Sequence, residues 1–361
     1  MNSKIKLLLT FDYELPMGSC KSYEKGLFIP SDRLLTTAKE LDVPIVLFAD
    51  ICSTQMFKQW DYDNYYIPFK KQIHRALSEN HDVQLHIHPH WLVSTFEDGA
   101  YKSSRKLSLH HFKDQQYPLS IDGIIEHAVK DLTSICSDVK DDYKCIAFRA
   151  GGYCINPSTD LIFKALYNNG IRIDSSVIKN LRTYTDSLNI DHRQVPKGLN
   201  WYSKIDGGYS KEYQEEALLE IPITSMPIFP HYRIARLIKK IVNKELYKSL
   251  TYDHTGTGYM GKTVGLKNKI TNAIHSPLVL SFDNFTTNLK VIDNILKYNL
   301  NKEKGENVIY FCANSHPKGF GEYQFQLFRD SILHIKSKYA NIIEFTTFAQ
   351  LYKDLKKDEL H

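Results

Sequence analysis

A chain of 361 residues, 42% hydrophobic and 24% charged, carries enough apolar material for a substantial core, which excludes a disordered or low-complexity protein. A formal charge of +5 is too small to imply nucleic acid without a concentrated patch. No apolar run reaches the ~18 residues of a membrane-spanning helix, so no transmembrane segment is expected.

The chain opens on a lysine-bearing apolar run, Ile5–Thr10, that passes straight into Asp12 and Glu14. It lacks the apolar stretch and small-residue cleavage site of a signal peptide. The six cysteines lie far apart with no Cys-x-x-Cys pair, the pattern of reduced thiols. A cytoplasmic location is therefore the expectation. Lys357-Asp358-Glu359-Leu360 is followed by His361, and a retention signal must be terminal, so it is read as coincidence.

After the first strand, Pro30-Ser31 opens a helix with Ser31 as N-cap, Asp32 in the first turn and Leu34, Leu35, Ala38 and Leu41 as its buried stripe. Val43–Ala49 is a buried strand ending at Asp50, for which a helix-capping role is expected. A helix through Phe69, Ile73, Ala76 and Leu77 leads to a strand from Val83. Trp91–Leu119 has no clear period and reads as a loop insertion over one end of the fold. Asp122–Ile135 is helical, and Cys145–Phe148 is a strand ending at Arg149. Asn156-Pro157 predicts a cap and first helical position, and Asn169-Gly170 the end of that helix. Further strands are expected at Gly170–Ile173, Leu218–Ile223, Leu278–Phe282, Val308–Ala313 and Ile342–Phe345. Arg233, Arg236, Lys239, Lys240, Lys244 and Lys248 decorate an amphipathic helix opposed only by Glu245. A solvated face is the simple explanation; contact with an anionic carrier or a membrane surface is the sharper one.

Strands alternating with helices imply a parallel sheet with helices outside it, and seven or eight such units imply a barrel. The expectation is an α/β fold, a distorted (β/α) barrel of about seven parallel strands. It forms one catalytic domain over 1–361 with insertions near 92–120 and 181–275. Polar residues collect just after the strands: Asp12 and Glu14, Asp50, His88 and His90, Arg149, Asp174, His316. In α/β barrels the carboxyl ends of the strands carry the chemistry.

The densest of these endings is Val83-Gln84-Leu85-His86-Ile87-His88-Pro89-His90-Trp91. Strand alternation puts Val83, Leu85 and Ile87 on one face and Gln84, His86, His88 and His90 on the other. Neutral imidazole is the commonest protein metal ligand, so the row predicts a metal site at a strand end. On geometry alone His86 and His88 are equally good ligands, and an acidic ligand must come from elsewhere.

Five of the endings resemble, in order, the motifs of the polysaccharide deacetylase family (the NodB homology domain, carbohydrate esterase family four). They are Thr10-Phe11-Asp12-Tyr13-Glu14, His86-x-x-x-His90, Phe148-Arg149-Ala150-Gly151-Gly152-Tyr153, Asp174-Ser175-Ser176 and Ser315-His316-Pro317. The His-x-His-Pro-His-Trp form is similar to a subgroup associated with bacterial surface glycans. The resemblance implies a metal-dependent sugar N-deacetylase. Common members have two adjacent aspartates where this chain has Asp12-Tyr13. Acid-x-acid variants use the carboxylate two positions on, which implies Asp12 as general base and Glu14 as metal ligand, with exchanged roles as the alternative. His86 and His90 become the other ligands of a divalent cation, zinc being the expected one. His88 is left for substrate or for support of the metal. Arg149 is implied to hold Asp12 charged and oriented, His316 to be the general acid, and Asp174 to orient His316. The proline and tyrosine of the third motif are replaced by Gly151 and Gly152, with Tyr153 displaced by one, so the oxyanion donor is assigned to the backbone near Gly152 or Tyr153.

The implied reaction is hydrolysis of an N-acyl, in particular an N-acetyl, group on a sugar or glycan precursor. A same-fold amidase acting on a non-sugar C–N bond would share these ligands. A non-catalytic carbohydrate-binding relative should have lost one of Asp12, Glu14, His86, His90 or His316. An amidohydrolase barrel would carry its His-x-His after the first strand, whereas here it follows the third.

Overall fold

The computed structural model describes residues 4–229, 232–234, 238, 242, 256–257, 261–284, 286–302 and 308–358. Its centre is a ten-stranded sheet. In chain order the strands that matter are β1 (Lys4–Tyr13), β2 (Val46–Asp50), β3 (Asp82–Ile87), β4 (Ala147–Ala150), β5 (Ile173–Asp174), β6 (Arg182–Tyr184), β7 (Asn189–Asp191), β8 (Trp201–Lys204), β9 (Tyr209–Ser210), β10 (Ala217–Glu220), β11 (Leu278–Val279), β12 (Val308–Ser315) and β13 (Ile343–Thr346). The sheet order is β9-β8-β10-β5-β4-β3-β2-β1-β12, with β13 sharing an edge of β1. Strands β10, β5, β4, β3, β2, β1, β12 and β13 run parallel, while β8 and β9 are antiparallel additions. The helices are α1 (Ile29–Glu40), α2 (Ile51–Trp60), α3 (Ile67–Ser78), α4 (Ile121–Ser137), α5 (Thr159–Asn168), α6 (Leu266–Ile274), α7 (Leu289–Leu300), α8 (Glu322–Lys338) and α9 (Phe348–Asp358).

The sheet curls until its ends meet through irregular chain. Ile223 bridges both Ile178 and Cys312, the Thr224 N–H donates to the Cys312 carbonyl at 2.8 Å, and the Asn314 N–H donates to the Leu280 carbonyl at 3.0 Å. This is the distorted parallel barrel expected. At this irregular closure the backbone groups remain bonded, as burial requires.

Strand parity sorts the side chains into two sets. Leu7, Leu9, Phe11 and Tyr13 join the large core under the helices, whereas Leu8 packs with Val46, Phe48, Ala147, Ile173, Leu219 and Cys312 inside the barrel. Phe348 and Leu351 of α9 close the bottom of that inner cluster; burying side chains of this size contributes about 1.5–3 kcal/mol each. Moving up each strand by twos, the inner face turns polar: Leu8, Thr10, Asp12 on β1; Val46, Phe48, Asp50 on β2; Gln84, His86, then His88 on β3; Ala147, Arg149 on β4; Cys312, Asn314, then His316 on β12.

Several local expectations change. Helix α1 begins at Ile29, so Ser31 lies inside it rather than capping it; a π-helical turn, Glu24–Phe28, buries Leu27 and Phe28 and delivers the chain already helical. Helix α5 starts at Thr159, after Asn156-Pro157, and Asn156 Oδ1 instead accepts the Asp191 N–H at 3.2 Å. The 92–120 segment contains an antiparallel ribbon, Thr95–Glu97 with Ala100–Lys102, whose Tyr101 hydroxyl bonds the Pro16 carbonyl. The 181–275 segment is woven into the body, since β8 to β10 belong to the main sheet. In the basic stretch Arg233–Lys248, the side chains of Arg236, Lys239, Lys240, Lys244 and Lys248 lie outside the described residues.

Candidate metal centre and active site

Arg149 is fully buried in the barrel and organises it. Its Nη1 donates to Thr10 Oγ1 (2.7 Å), Asp12 Oδ1 (2.8 Å) and Asn314 Oδ1 (2.7 Å), its Nε to the Ser175 carbonyl (2.9 Å), and its Nη2 to Ser175 Oγ (3.0 Å). The guanidinium lies 4.2 Å from the centroid of the Phe48 ring. Such a cation is tolerated in a barrel interior only because its donors are satisfied and one acceptor is charged.

Asp12 is held from two sides. Asn314 Nδ2 donates to its second oxygen at 3.1 Å, and His316 Nε2 lies 3.4 Å from that same oxygen. Burial alone would raise the Asp12 pKa, but Arg149, then His86 and His316, hold it well below the usual carboxylate range. Asn314 also donates to the Tyr153 hydroxyl at 2.9 Å. Tyr153 reaches that position because Gly152 (φ 59°) and Tyr153 (φ 61°) are successive left-handed residues, turning the displaced tyrosine back into the barrel mouth.

Glu14 is buried beside the histidines. Its Oε2 lies 3.0 Å from His86 Nε2 and in close contact with His88 Nε2, and its Oε1 accepts from Lys318 Nζ at 2.6 Å. Burial opposes its charge, yet Lys318 and the two histidines keep its pKa well below the ordinary value. His86 Nδ1 donates to the Arg149 carbonyl at 2.8 Å, which leaves Nε2 as the coordinating nitrogen. Among the described residues, ligand atoms of Glu14, His86 and His88 all lie within 4.8 Å of one another.

The resemblance selects His86 and His90 as ligands; the structure brings His88, not His90, to Glu14. Strand β3 ends at Ile87 and the chain enters a 3-10 turn, Pro89–Val93, so the strand alternation that carries His88 inward does not extend to His90. The His90 ring instead packs on Trp91, with centroids 4.8 Å apart, and burial pushes its pKa well down. Gly151 makes room for His88, because a Cβ there would lie 2.5 Å from His88 Nδ1 and 2.6 Å from the Ile87 carbonyl oxygen. His88 Nδ1 and both ring nitrogens of His90 are buried without a hydrogen-bond partner among the described residues. Orphaned buried acceptors cost about 1–3 kcal/mol each, and imidazoles beside a buried carboxylate are the donor set of a divalent-cation site. The residues therefore fit a metal.

Asp174 does not orient His316. Its neighbour Ile173 faces the barrel interior, so Asp174 points to the other side of β5, where its oxygens accept from the Ser176 hydroxyl (2.7 Å) and Ser176 N–H (3.1 Å). It sits beside buried Glu220, whose pKa burial and then Asp174 raise well above normal. The partner of His316 is Asp283: its Oδ2 lies 2.6 Å from His316 Nδ1 and accepts the His316 N–H at 2.8 Å. Burial works against the imidazolium, but Asp12 and Asp283 outweigh it and lift the His316 pKa to about 10. Asp283, Asn314 and Lys318 were not singled out from the sequence. Asp283 carried a usable signal, since it directly follows the apolar run Leu278–Phe282 as Asp12 and Asp50 follow theirs. Asp50 occupies the N-cap position of α2 without capping it; its Oδ1 accepts the His88 N–H at 3.2 Å.

No protein-family model and no curated protein sequence matches the chain. Solved structures do. A protein assigned as a polysaccharide deacetylase from Mycobacterium smegmatis aligns at TM-score 0.50 and 10% identity over 99% of this chain and 92% of its own. One assigned as a glycoside hydrolase/deacetylase from Parabacteroides distasonis aligns at TM-score 0.50 and 9% identity over 99% and 71%. A 4-alpha-glucanotransferase from Thermococcus litoralis aligns at TM-score 0.50 and 10% identity over 97% of this chain but 40% of that one. At these identities the likeness establishes a shared NodB-like barrel, and a barrel hosting several activities does not choose among them.

Proposed function

We propose that the chain is a metal-dependent hydrolase that removes an N-acyl group, in particular N-acetyl, from a sugar or glycan precursor. The observation that carries this reading is the opposition of Asp12 and His316, 3.4 Å apart, directly beside the Glu14–His86–His88 group. Glu14, His86 and His88 would hold a divalent cation, which we propose is zinc, and it would supply Lewis acidity and lower the pKa of the attacking water.

The chain's own residues divide the proton work. Asp12, kept ionised by Arg149 and aimed by Asn314, accepts the proton of the attacking water at the oxygen facing His316. His316, held as imidazolium by Asp283, delivers a proton to the departing nitrogen. An amine anion leaves poorly, so amide cleavage needs this acid as much as the base. The backbone at Gly152 and Tyr153, beside the Tyr153 hydroxyl, is the proposed donor to the developing oxyanion. Products are a carboxylic acid and a free amino sugar.

The deacetylases among the fold neighbours support a sugar substrate. The wide spacing of the six cysteines, with no Cys-x-x-Cys pair, is the sequence pattern behind the proposal that the substrate is a cytoplasmic precursor. The test is acetate release from a panel of N-acetylated sugars by zinc-loaded protein, with simple amides and ureides as controls. Release from sugars that disappears in Asp12→Asn is expected. Turnover of the controls alone would assign the same centre to a non-sugar C–N bond.

A further inference from the structure

Helix α6 is docked with its polarity inverted. Its polar face is the one bound to the protein: Asn268 Oδ1 and Asn272 Oδ1 accept from Arg182 Nη2 (3.0 Å) and Nη1 (2.8 Å) on β6, and Asn272 exchanges further bonds with the Tyr184 backbone. Its apolar side chains point outward. Leu266, Ile270 and Ile274 are 73%, 52% and 54% exposed, and no residue of the helix is buried. At about 3.6 residues per turn this stripe lies roughly 180° from Asn268 and Asn272, while Lys267 and Lys269 border it on its two sides. A helix in water normally does the reverse, burying its apolar stripe.

A second set of residues repeats the arrangement. Ile234, Ile238 and Val242, also at four-residue spacing, are helical and 60%, 54% and 73% exposed. Arg233 ties the two together by donating to the Ala273 and Ile274 carbonyls at 2.5 and 2.6 Å, the last of α6. From Arg233 to Ile274 the sequence carries nine lysines and arginines against Glu245 and Asp253, so the rest of the chain is net negative.

We propose that this face is an interfacial membrane-binding surface, seated on an anionic lipid bilayer with the apolar stripes in the acyl boundary and the lysines at the headgroups. The exposed apolar stripes require an apolar phase, and the charge selects its kind. Lys267 and Lys269 border the α6 stripe, and the sequence from 233 to 274 is strongly net positive. Lipid phosphates match that charge, whereas a second copy of the same face would bring like charges together, and flanking lysines can keep their ammonium groups at headgroup level while their stems stay apolar. No helix among the described residues is long and apolar enough to cross a membrane, so the contact is peripheral. The surface also connects to the candidate centre. β6 leads into the turn before β7 whose Leu188 packs over Gly152, where a Cβ would meet Leu188 Cδ1 at 3.5 Å. The inference stands on this patch and does not require the proposed hydrolase activity.

The test is co-sedimentation of the full chain with phosphatidylcholine vesicles, with and without about 30 mol% phosphatidylglycerol. Binding to the anionic vesicles, weakened by salt and weak on neutral ones, is expected. Leu266→Gln/Ile270→Gln/Ile274→Gln should lower the bound fraction by about tenfold, and Lys267→Glu/Lys269→Glu should do so at low salt. All five side chains are exposed, so melting temperatures should be unchanged; the lysine pair remains a test if the triple variant misfolds. Wild-type protein left in the supernatant of anionic vesicles, or variants bound undiminished, would overturn the proposal. So would a concentration-dependent dimer in sedimentation velocity that the triple variant disperses without any vesicle binding, which would assign the face to a second copy.

Discussion

His316 Nδ1 and Asp283 Oδ2 lie 2.6 Å apart, and the same carboxylate oxygen accepts the His316 backbone N–H. The carboxylate thus sets both the rotamer and the charge of the imidazole. With the His316 pKa raised to about 10, the acid form persists through neutral pH and is lost only as pH rises past that value. The rate should therefore show an alkaline limb. Asp283→Asn removes the stabilising charge, so the limb should move to lower pH by roughly one to two pH units, with the rate falling between about pH 8 and 10 and the acid form still dominant at neutral pH. Asp174→Asn should leave the limb in place. A pH–rate profile of the three proteins decides the matter.

Metal content should follow the geometry around Glu14. Glu14→Gln, His86→Ala and His88→Ala should each weaken zinc binding by more than about a hundredfold, beyond the loss expected for an outer partner. His90→Ala should retain the metal. Dialysis against graded zinc followed by elemental analysis measures this. A metal-free His90→Ala with a loaded His88→Ala would restore the pair implied by the resemblance.

The Asp12–Arg149 contact separates chemistry from stability. Asp12→Asn keeps its amide within reach of Arg149 and Asn314, so it should fold and bind zinc while losing about 10²–10⁴ in rate. Arg149→Leu strands the buried Asp12 carboxylate and several acceptors. It should cost about 3–5 kcal/mol in denaturant unfolding.

Gly151 is a steric requirement, because the clash of a new Cβ is partly with backbone, the Ile87 carbonyl. Gly151→Ala should destabilise the fold by about 1–3 kcal/mol and displace His88. Lower zinc affinity and a lower melting temperature are expected together, and unchanged zinc binding would contradict the placement of His88.

Two histidines away from the centre should govern acid stability. His81 and His192 are buried, each with Nδ1 accepting a backbone N–H, and burial lowers the pKa of each to about 4. Below the unfolded value near 6.5 the unfolded chain takes up protons that the folded chain refuses until about pH 4. Their contribution is thus present above pH 6.5 and lost as pH falls toward 4, by about 1.4 kcal/mol per pH unit per residue at most. His81→Gln and His192→Gln should each flatten unfolding free energy against pH in that window.

Much of this was legible in the chain itself. Near-continuous apolar runs separated by amphipathic helices dictate a parallel barrel, because such strands must be covered on both faces. Period-two alternation places Asp12 with Glu14 and His86 with His88 on common faces wherever the strand persists. What the sequence could not decide lies where local periodicity stops. Whether His88 or His90 meets Glu14 depends on the turn after Ile87 and on the space left by Gly151, sixty-odd residues away by subtraction. Which carboxylate serves His316 depends on Asp174 standing on the wrong face of β5 and on Asp283 arriving from an irregular segment that closes the barrel. The polarity of α6 was visible as spacing, but only the docking of Asn268 and Asn272 onto β6 shows that the apolar stripe faces outward. Alternation and burial are local consequences of side-chain chemistry, whereas partnership across the barrel is set by how distant strand ends converge.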